Sequence, residues 1–450
     1  MPAEFGLPTA TFVVVASMVG VGVLTTSGFT VNEVGSNQLM LALWVVGGVA
    51  ALCAALTLAE LSAALPKAGG EYVILYEAFG PLAGFLSGWV TFLIGFAAPI
   101  AASASGSATY LLAPLQLTGW PAQAAQRGVA TLTVVAFALI HSSRRTRTAR
   151  VQVGITLIKL IVLVLFVLAG LACGWHHSAN LADLPPMTAA VGSKMLFSMV
   201  YITYAYFGWN AASYLAGEVR DPGRQLPRAI VLGTAAVVVL YLGLNTVYAL
   251  ALPASEIQQI AHADRNAVKP IAQLAAVRLF GAIWATPLSI AVGLMLLSSL
   301  SAYILTGPRV AYAMAVAGQF PAVAGRLSTR FQTPAIATGL LCALALVLLW
   351  SGSFDNIVTY ASVGMAFFSI LTISSIYVLR WRRPDLKRPF RTPGYPFVPA
   401  VYITVSALLT AAALFNNFWV AALSLLSVIA GVPAYYLWTR TQRGAPPEVK

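Results

Sequence analysis

The sequence predicts an all-α integral membrane protein with twelve transmembrane helices, and three observations carry that reading. Of its 450 residues, 59% are hydrophobic and only 9% charged, at a mean hydropathy of +0.83. A water-soluble globule could not hide so much apolar surface. Apolar runs of about 20 residues recur, the length that crosses roughly 30 Å of hydrocarbon. These runs also lack the apolar–polar alternation of outer-membrane barrel strands.

In order, crossings are expected near 8–30, 38–64, 80–113, 126–142, 150–173, 190–216, 228–251, 280–312, 333–352, 355–380, 396–416 and 418–439. The even number puts both termini on one side, and lysine and arginine fix which side. With the termini in the cytoplasm, 20 basic residues face inward, including Lys67, Arg144, Arg145, Arg147 and Arg150. The same side takes Arg220, Arg224, Arg228, Arg309, Arg326 and Arg330, the Arg380–Arg391 cluster, and Arg440, Arg443 and Lys450. Five (Arg127, Lys194, Arg265, Lys269 and Arg278) face outward. That imbalance satisfies the positive-inside rule. It accounts for the net charge of +13 as an orientation signal and lipid headgroup contact, so nucleic acid is not an expected partner.

"MPAEFGLPTA" lacks the basic start of a removable signal. Cys53, Cys173 and Cys342 lie in or at the end of apolar runs and read as small core residues. His141, His176, His177 and His262 fall in expected loops without ligand spacing, so neither metal nor cofactor is expected.

The first crossing contains "MVGVGVLTTSGF", with Gly20 and Gly22 at its centre. Close helix packing is the plainer reading of such glycines. A helix break is the other, and it frees backbone groups that mid-membrane depth tolerates only when they are buried in protein or line a polar cavity. The sixth crossing favours the break: "TYAYFGWNAASYLAGE" also carries a central glycine, Gly208, beside aromatics and Asn210. If crossings 1–5 and 6–10 are inverted repeats, the first and sixth are equivalent. Paired interruptions then mark a transporter site at the midplane. Helix N-terminal N–H groups attract an anion, and exposed carbonyls attract a cation. A free amino acid, carrying ammonium and carboxylate, answers both.

Five stretches together resemble the amino acid–polyamine–organocation (APC) permeases. They are "VGVGVLTTSG", "LAELSAALPKAGGEYVILYEAFGPLAGFLSGW", "YAYFGWNAASYLAGEVRDPGRQLPRAI", "GPRVAYAMAVAGQFP" and "LRWRRPDLKRPFRTPGYPFVP". Within that superfamily, "YFGWN" and "VQVGITLIKL" are most similar to the L-type and related bacterial neutral amino acid transporters. The resemblance implies the leucine-transporter fold, with residues 1–175 as the first inverted repeat, 176–395 as the second, and 396–450 as two further helices and a cytoplasmic tail. It implies a substrate site built from Met18, Val19, Gly20, Val21, Gly22, Val23, Tyr204, Ala205, Phe207, Gly208 and Asn210. The N–H groups around Val21, Gly22 and Val23 would hold the carboxylate. The carbonyls of Met18, Tyr204 and Phe207 would hold the ammonium, with the Tyr204 ring as an outer gate. Several relatives have serine where this chain has Val21, so a hydroxyl contact is lost. Members handling arginine or agmatine carry glutamate where Asn210 stands here, which favours neutral substrates, because an unpaired charge in a dry pocket is costly. Asn210 can equally serve to bond across helices.

Lys159, in "GITLIKLIVLVLFVLAG", lies well inside the fifth crossing. An ammonium there costs about 2.5–3.5 kcal/mol on the insertion scale unless it has partners. Snorkelling would have to span roughly 13 Å of helix back to Arg150. By the resemblance, Lys159 stands in for the sodium ion of coupled relatives, meeting carbonyls near Ser17 and Met18 and the hydroxyls of Ser298, Ser299 or Ser301. It then either exchanges a proton during transport or keeps its charge in a sodium-independent exchanger. Glu60, Glu71 and Glu77 read first as loop structure or partners of Lys67, and a proton relay is the alternative reading.

No Walker A sequence supports ATP drive, and no nucleophile–base pair supports an intramembrane enzyme. The function expected is secondary transport of neutral L-amino acids across the cell membrane, sodium-independent, proton-coupled or by exchange, without an obligatory protein partner. The rivals are a cationic amino acid or polyamine permease and a membrane-embedded amino acid sensor.

Overall fold

The computed structural model describes residues 5–67, 69–117, 119–143, 148–181, 188–263, 270–331 and 333–441. Arg144, Arg145, Arg147, Arg265, Lys269, Arg443 and Lys450 lie outside the described residues. The structure is all-helical; among the described residues the one extended pairing is an isolated bridge between Phe5 and Val219.

The first expected crossing is two helices, α1 (Leu7–Met18) and α2 (Val21–Val34), bent by 41°. α3 (Asn37–Ala64) comes next, then the short α4 (Glu71–Phe79). The third crossing is α5 (Pro81–Val90) and α6 (Ala97–Leu112), joined without interruption through a π-helical turn, Thr91–Phe96. After it come α7 (Gly119–Ser143) and α8 (Thr148–Gly174). α9 (Ala189–Tyr206) stops in mid-crossing and continues as a 3₁₀ helix, Ala211–Glu218. α10 (Pro222–Ala251) leads to a surface pair, α11 (Ala254–Ala263) and α12 (Ile271–Phe280). The rest are α13 (Ala285–Val316), α14 (Ala335–Ser351), α15 (Phe354–Arg382), α16 (Phe397–Asn416), α17 (Phe418–Ile429) and α18 (Gly431–Thr441). Among the described residues, nine helical stretches are long and apolar enough to cross a membrane, or ten with α1–α2 as one bent crossing. The sixth and ninth expected crossings hold shorter helices, α9 of 18 residues and α14 of 17.

Packing tracks the distribution of small residues. Ala97, Ala98, Ala101, Ala102, Ala104 and Ala108 are fully buried, and α6 packs closely along α13. Small side chains let helices approach where lipid removes the usual apolar driving force. α1 lies on α10, α2 on α9, and α3 on α10 and α9, so the two interrupted helices sit in the centre. Leu132, Leu139, Ile158, Leu165, Val239 and Phe415 point outward, as hydrocarbon solvent requires.

The cysteine and histidine expectations need correcting: His262 lies in α11, and His176 and His177 lie in the 3₁₀ helix Trp175–Leu181, not in loops. Cys173 is exposed on α8 rather than in the core, unlike Cys53 and Cys342. His141 belongs to α7 rather than a loop and is buried.

Candidate functional site

α1 ends at Met18 because Val19 (φ −75°, ψ 92°) and Gly20 (φ −132°, ψ −152°) leave the helical region before α2 starts at Val21. The N–H groups of Val21, Gly22 and Val23 therefore form the first turn of α2, where amides lack intrahelical acceptors, and Gly20 supplies no side-chain cap. α9 ends in the same way: Phe207 turns to φ −63°, ψ 152°, and Gly208 takes φ +114°, open in practice only to glycine.

The two breaks touch. A methyl group on Gly22 would come within 2.4 Å of Ala205 Cα, and one on Gly208 within 2.8 Å of the Ser17 carbonyl. Gly22 thus serves close approach and Gly208 serves conformation, so both readings of these glycines hold, at different residues. Gly20 adopts angles other residues can reach, with the Tyr303 hydroxyl as its nearest neighbour. Met18, Val19, Gly20, Val21, Gly22, Val23, Tyr204, Ala205 and Phe207 are all buried. Gly208 and Asn210 are half-buried.

Several carbonyls at the breaks already have donors. Met18 O accepts from the Tyr241 hydroxyl at 2.7 Å, and Tyr204 O from the Phe207 N–H at 3.3 Å. Asn210 O accepts from Ser213 N at 3.0 Å and Ser213 Oγ at 2.6 Å. Trp44, Tyr206 and Tyr241 pack ring to ring behind the site, at 5.2–5.7 Å between centroids.

Lys159 is 2% exposed and does not snorkel. Its Nζ donates to Val19 O at 2.6 Å and to Ser299 Oγ at 3.3 Å. The ammonium bridges the end of the first half-helix to α13, meeting the Val19 carbonyl, next to Met18, and the Ser299 hydroxyl. Ser17 packs against Gly208 instead, and Ser301 pairs with His141 Nε2 at 3.0 Å. Ser298 is buried on the same stretch of α13.

Sequence reasoning missed Tyr241, and it named His141 and Glu71 without anticipating their burial. Tyr241 and Asn245 stand out as polar groups inside an apolar run, a signal that was legible. The acidic residues near the second crossing are not loop residues. Glu60 is 1% exposed and held by Arg380 at 2.6 and 2.9 Å and by the Thr392 N–H at 2.6 Å. Glu71 is 7% exposed and accepts from the Tyr214 hydroxyl at 3.2 Å. Only Glu77 meets Lys67, at 3.5 Å, and it shares that role with Arg383.

A polytopic bundle of long apolar helices, two of whose central helices break against each other with a buried ammonium hydrogen-bonded at the junction, has the architecture of a multi-pass membrane protein. The family described as "Amino acid permease" matches residues 5–437, and the chain belongs to that family, within the APC superfamily. It is similar to the serine/threonine exchanger SteT of Bacillus subtilis (strain 168), 29% identical over 96% of each chain. It is 28% identical to the human large neutral amino acids transporter small subunit 2, covering 96% of this chain and 80% of the relative. It is 27% identical to the human cystine/glutamate transporter, covering 95% and 83%. These relatives are transporters and not enzymes, and amino acid transport is the activity that family membership supports.

Proposed function

We propose that this protein is a secondary transporter of neutral L-amino acids, sodium-independent, working by alternating access in the cell membrane with both termini cytoplasmic. It has twelve crossings in the leucine-transporter arrangement, 1–175 and 176–395 being the inverted repeats and 396–450 the added helices and tail. The carrying observation is the contact of two broken helices, Gly22 on Ala205 and Gly208 on Ser17. There the α2 N–H groups receive the carboxylate, and carbonyls of Met18, Tyr204 and Phe207 receive the ammonium. Because the backbones touch and the residues are buried, the breaks must part to admit substrate. Bundle crossings 1, 2, 6 and 7 rock against the remainder to do so. Lys159 supports sodium independence, since its ammonium fills the place between the first half-helix and α13.

The names of the serine/threonine exchanger and the large neutral amino acid transporter support neutral substrates, and the former supports exchange. No obligatory protein partner is proposed. A cationic amino acid or polyamine carrier is the second reading, and one observation favours it: the Glu71 carboxyl stands beside Asn210.

Uptake of radiolabelled serine, alanine and leucine into proteoliposomes, with and without internal substrate and a pH gradient, tests the proposal. Uptake that needs internal amino acid marks an exchanger, and uptake driven by the gradient alone marks a proton symporter. Binding without flux would leave the sensor, and competition by arginine or putrescine but not leucine would leave the second reading.

A further inference from the structure

Glu71 is a buried carboxyl with no cationic partner among the described residues. It opens α4, between the second and third crossings, on the side where the termini lie. Its Oε2 accepts from Tyr214, in the 3₁₀ half of the sixth crossing, at 3.2 Å. Its Oε1 has no hydrogen-bond partner, and neither has the hydroxyl of Thr372 on α15. Yet the Asn210 amide and that hydroxyl both stand next to the carboxyl, close enough to bond it on small rotations. The seat is tight as well: Gly70, at φ +55°, lies so close to Ser213 and Tyr214 that a methyl group there would meet both at 2.8 Å.

Arginines of α15 and the second carboxylate of α4 are engaged elsewhere, and Glu218 ends the 3₁₀ half that carries Tyr214. On α15, Arg380 is held by Glu60, and Arg382 donates to the Ala78 carbonyl. On α4, Glu77 takes Lys67 and Arg383. The titratable groups that face Glu71 are Tyr214 and, from α16, Tyr402. Burial holds the Glu71 carboxyl above the ordinary carboxylate range, and its hydrogen-bonding neighbours only partly offset this.

We propose that Glu71 is a positioning residue for substrate release: protonated and uncharged, it leaves the 3₁₀ half of the sixth crossing packed on α4, and ionised, its buried charge draws in water and lets the two part. The proton leaves from Oε1 to cytoplasmic water as the seat opens, and the carboxylate left behind is hydrated. Closing returns a proton from the same water. Because the group takes and gives protons on one face, it sets the rate of opening and not the accumulation ratio. A neutral Glu71 also presents no charge to substrate at Asn210, which reconciles it with neutral specificity. The inference rests on the proposed transport and orientation.

The test uses right-side-out and inside-out membrane vesicles, with pH varied on one face at a time. Wild-type exchange should speed up as the cytoplasmic face becomes alkaline and ignore the outer face. Glu71→Gln should flatten that profile, Glu71→Asp should restore it, and Tyr214→Phe, which removes a donor from the carboxylate, should move it to higher pH. Infrared difference spectra supply a reading independent of transport: the protonated-carboxyl band should disappear on alkalinisation in wild type and be absent in Glu71→Gln. An unchanged pH profile in Glu71→Gln, a wild-type rate indifferent to cytoplasmic pH, or no titrating carboxyl band overturns the role. Sensitivity at the outer face overturns the orientation instead. Transport of no amino acid by wild type, with the band present, overturns the proposed function and leaves the titrating carboxyl standing.

Discussion

Lys159 concentrates the residue-scale chemistry. Its ammonium is withdrawn from lipid and water alike, and it persists there because Val19 O and Ser299 Oγ receive it. A hydrogen bond to a charged group is worth about 1.5–3 kcal/mol. Removing it frees the end of α1 at the junction with α13. Lys159→Ala is therefore expected to insert and fold but to lower exchange by about 10- to 100-fold, since each 1.4 kcal/mol is about tenfold in rate. Purified protein in liposomes checks this; wild-type rates with an unchanged pH profile would remove the role assigned to Lys159. Lys159 was legible in the sequence as a lone cation inside an apolar run. Its exact acceptor was not, because Val19 O becomes available only where α1 ends, and that end depends on how α9 packs. The partners of Glu60 and Glu71 were hidden for the same reason: Arg380 and Tyr214 are 320 and 143 residues away.

The three glycines of the interrupted helices are different elements of construction, and substitution should separate them. Gly208→Ala forces a side chain into φ +114° and against the Ser17 carbonyl, a strain of about 1–3 kcal/mol. Gly22→Ala must push α2 away from Ala205, an overpacking cost of about 1–3 kcal/mol. Gly20→Ala meets its nearest atom at 3.6 Å and should be nearly neutral. Thermal unfolding in detergent, monitored by size-exclusion chromatography, is expected to rank Gly20→Ala close to wild type and the other two well below it. Equal loss in all three would refute this division of roles. At this scale the sequence was informative about where helices break, because glycine pairs and polar residues interrupt otherwise uniform apolar runs. It was silent on how the chain winds beyond the second break. "AASYLAGE" has no proline to forbid an α-helix, yet it winds as a 3₁₀ helix, held between the turn at Gly208 and the bridge from Val219 to Phe5. Nor does "TFLIGF" announce its π-helical winding, which lies in the region where Phe96 meets Tyr303.

For the whole molecule, both ends of the central pair are closed. Outside, in the proposed orientation, Tyr110 donates to Leu24 O at 2.5 Å and accepts from the Ala272 N–H at 3.4 Å, so α12 is tied over α2. On the terminal side, Phe5 N–H donates to Glu218 O at 3.0 Å, and Arg220 N–H to Phe5 O at 2.9 Å. These two closures differ in kind. The outer one joins the first crossing to α6 and α12, and so spans the boundary between the rocking bundle and the rest. The terminal one joins the first and sixth crossings, both inside the bundle. Rigid rocking must break the outer closure and can leave the terminal one intact, with α4 and Glu71 as the surface from which the sixth crossing departs. A disulfide between Phe5→Cys and Val219→Cys, in a background without the native cysteines, distinguishes the two kinds of opening. If the bundle moves as one body, the oxidised protein should exchange within about twofold of the reduced form, a difference below about 0.5 kcal/mol in the barrier. Arrest on oxidation and recovery on reduction would show instead that α1 swings away from the sixth crossing, and the rigid bundle would be wrong.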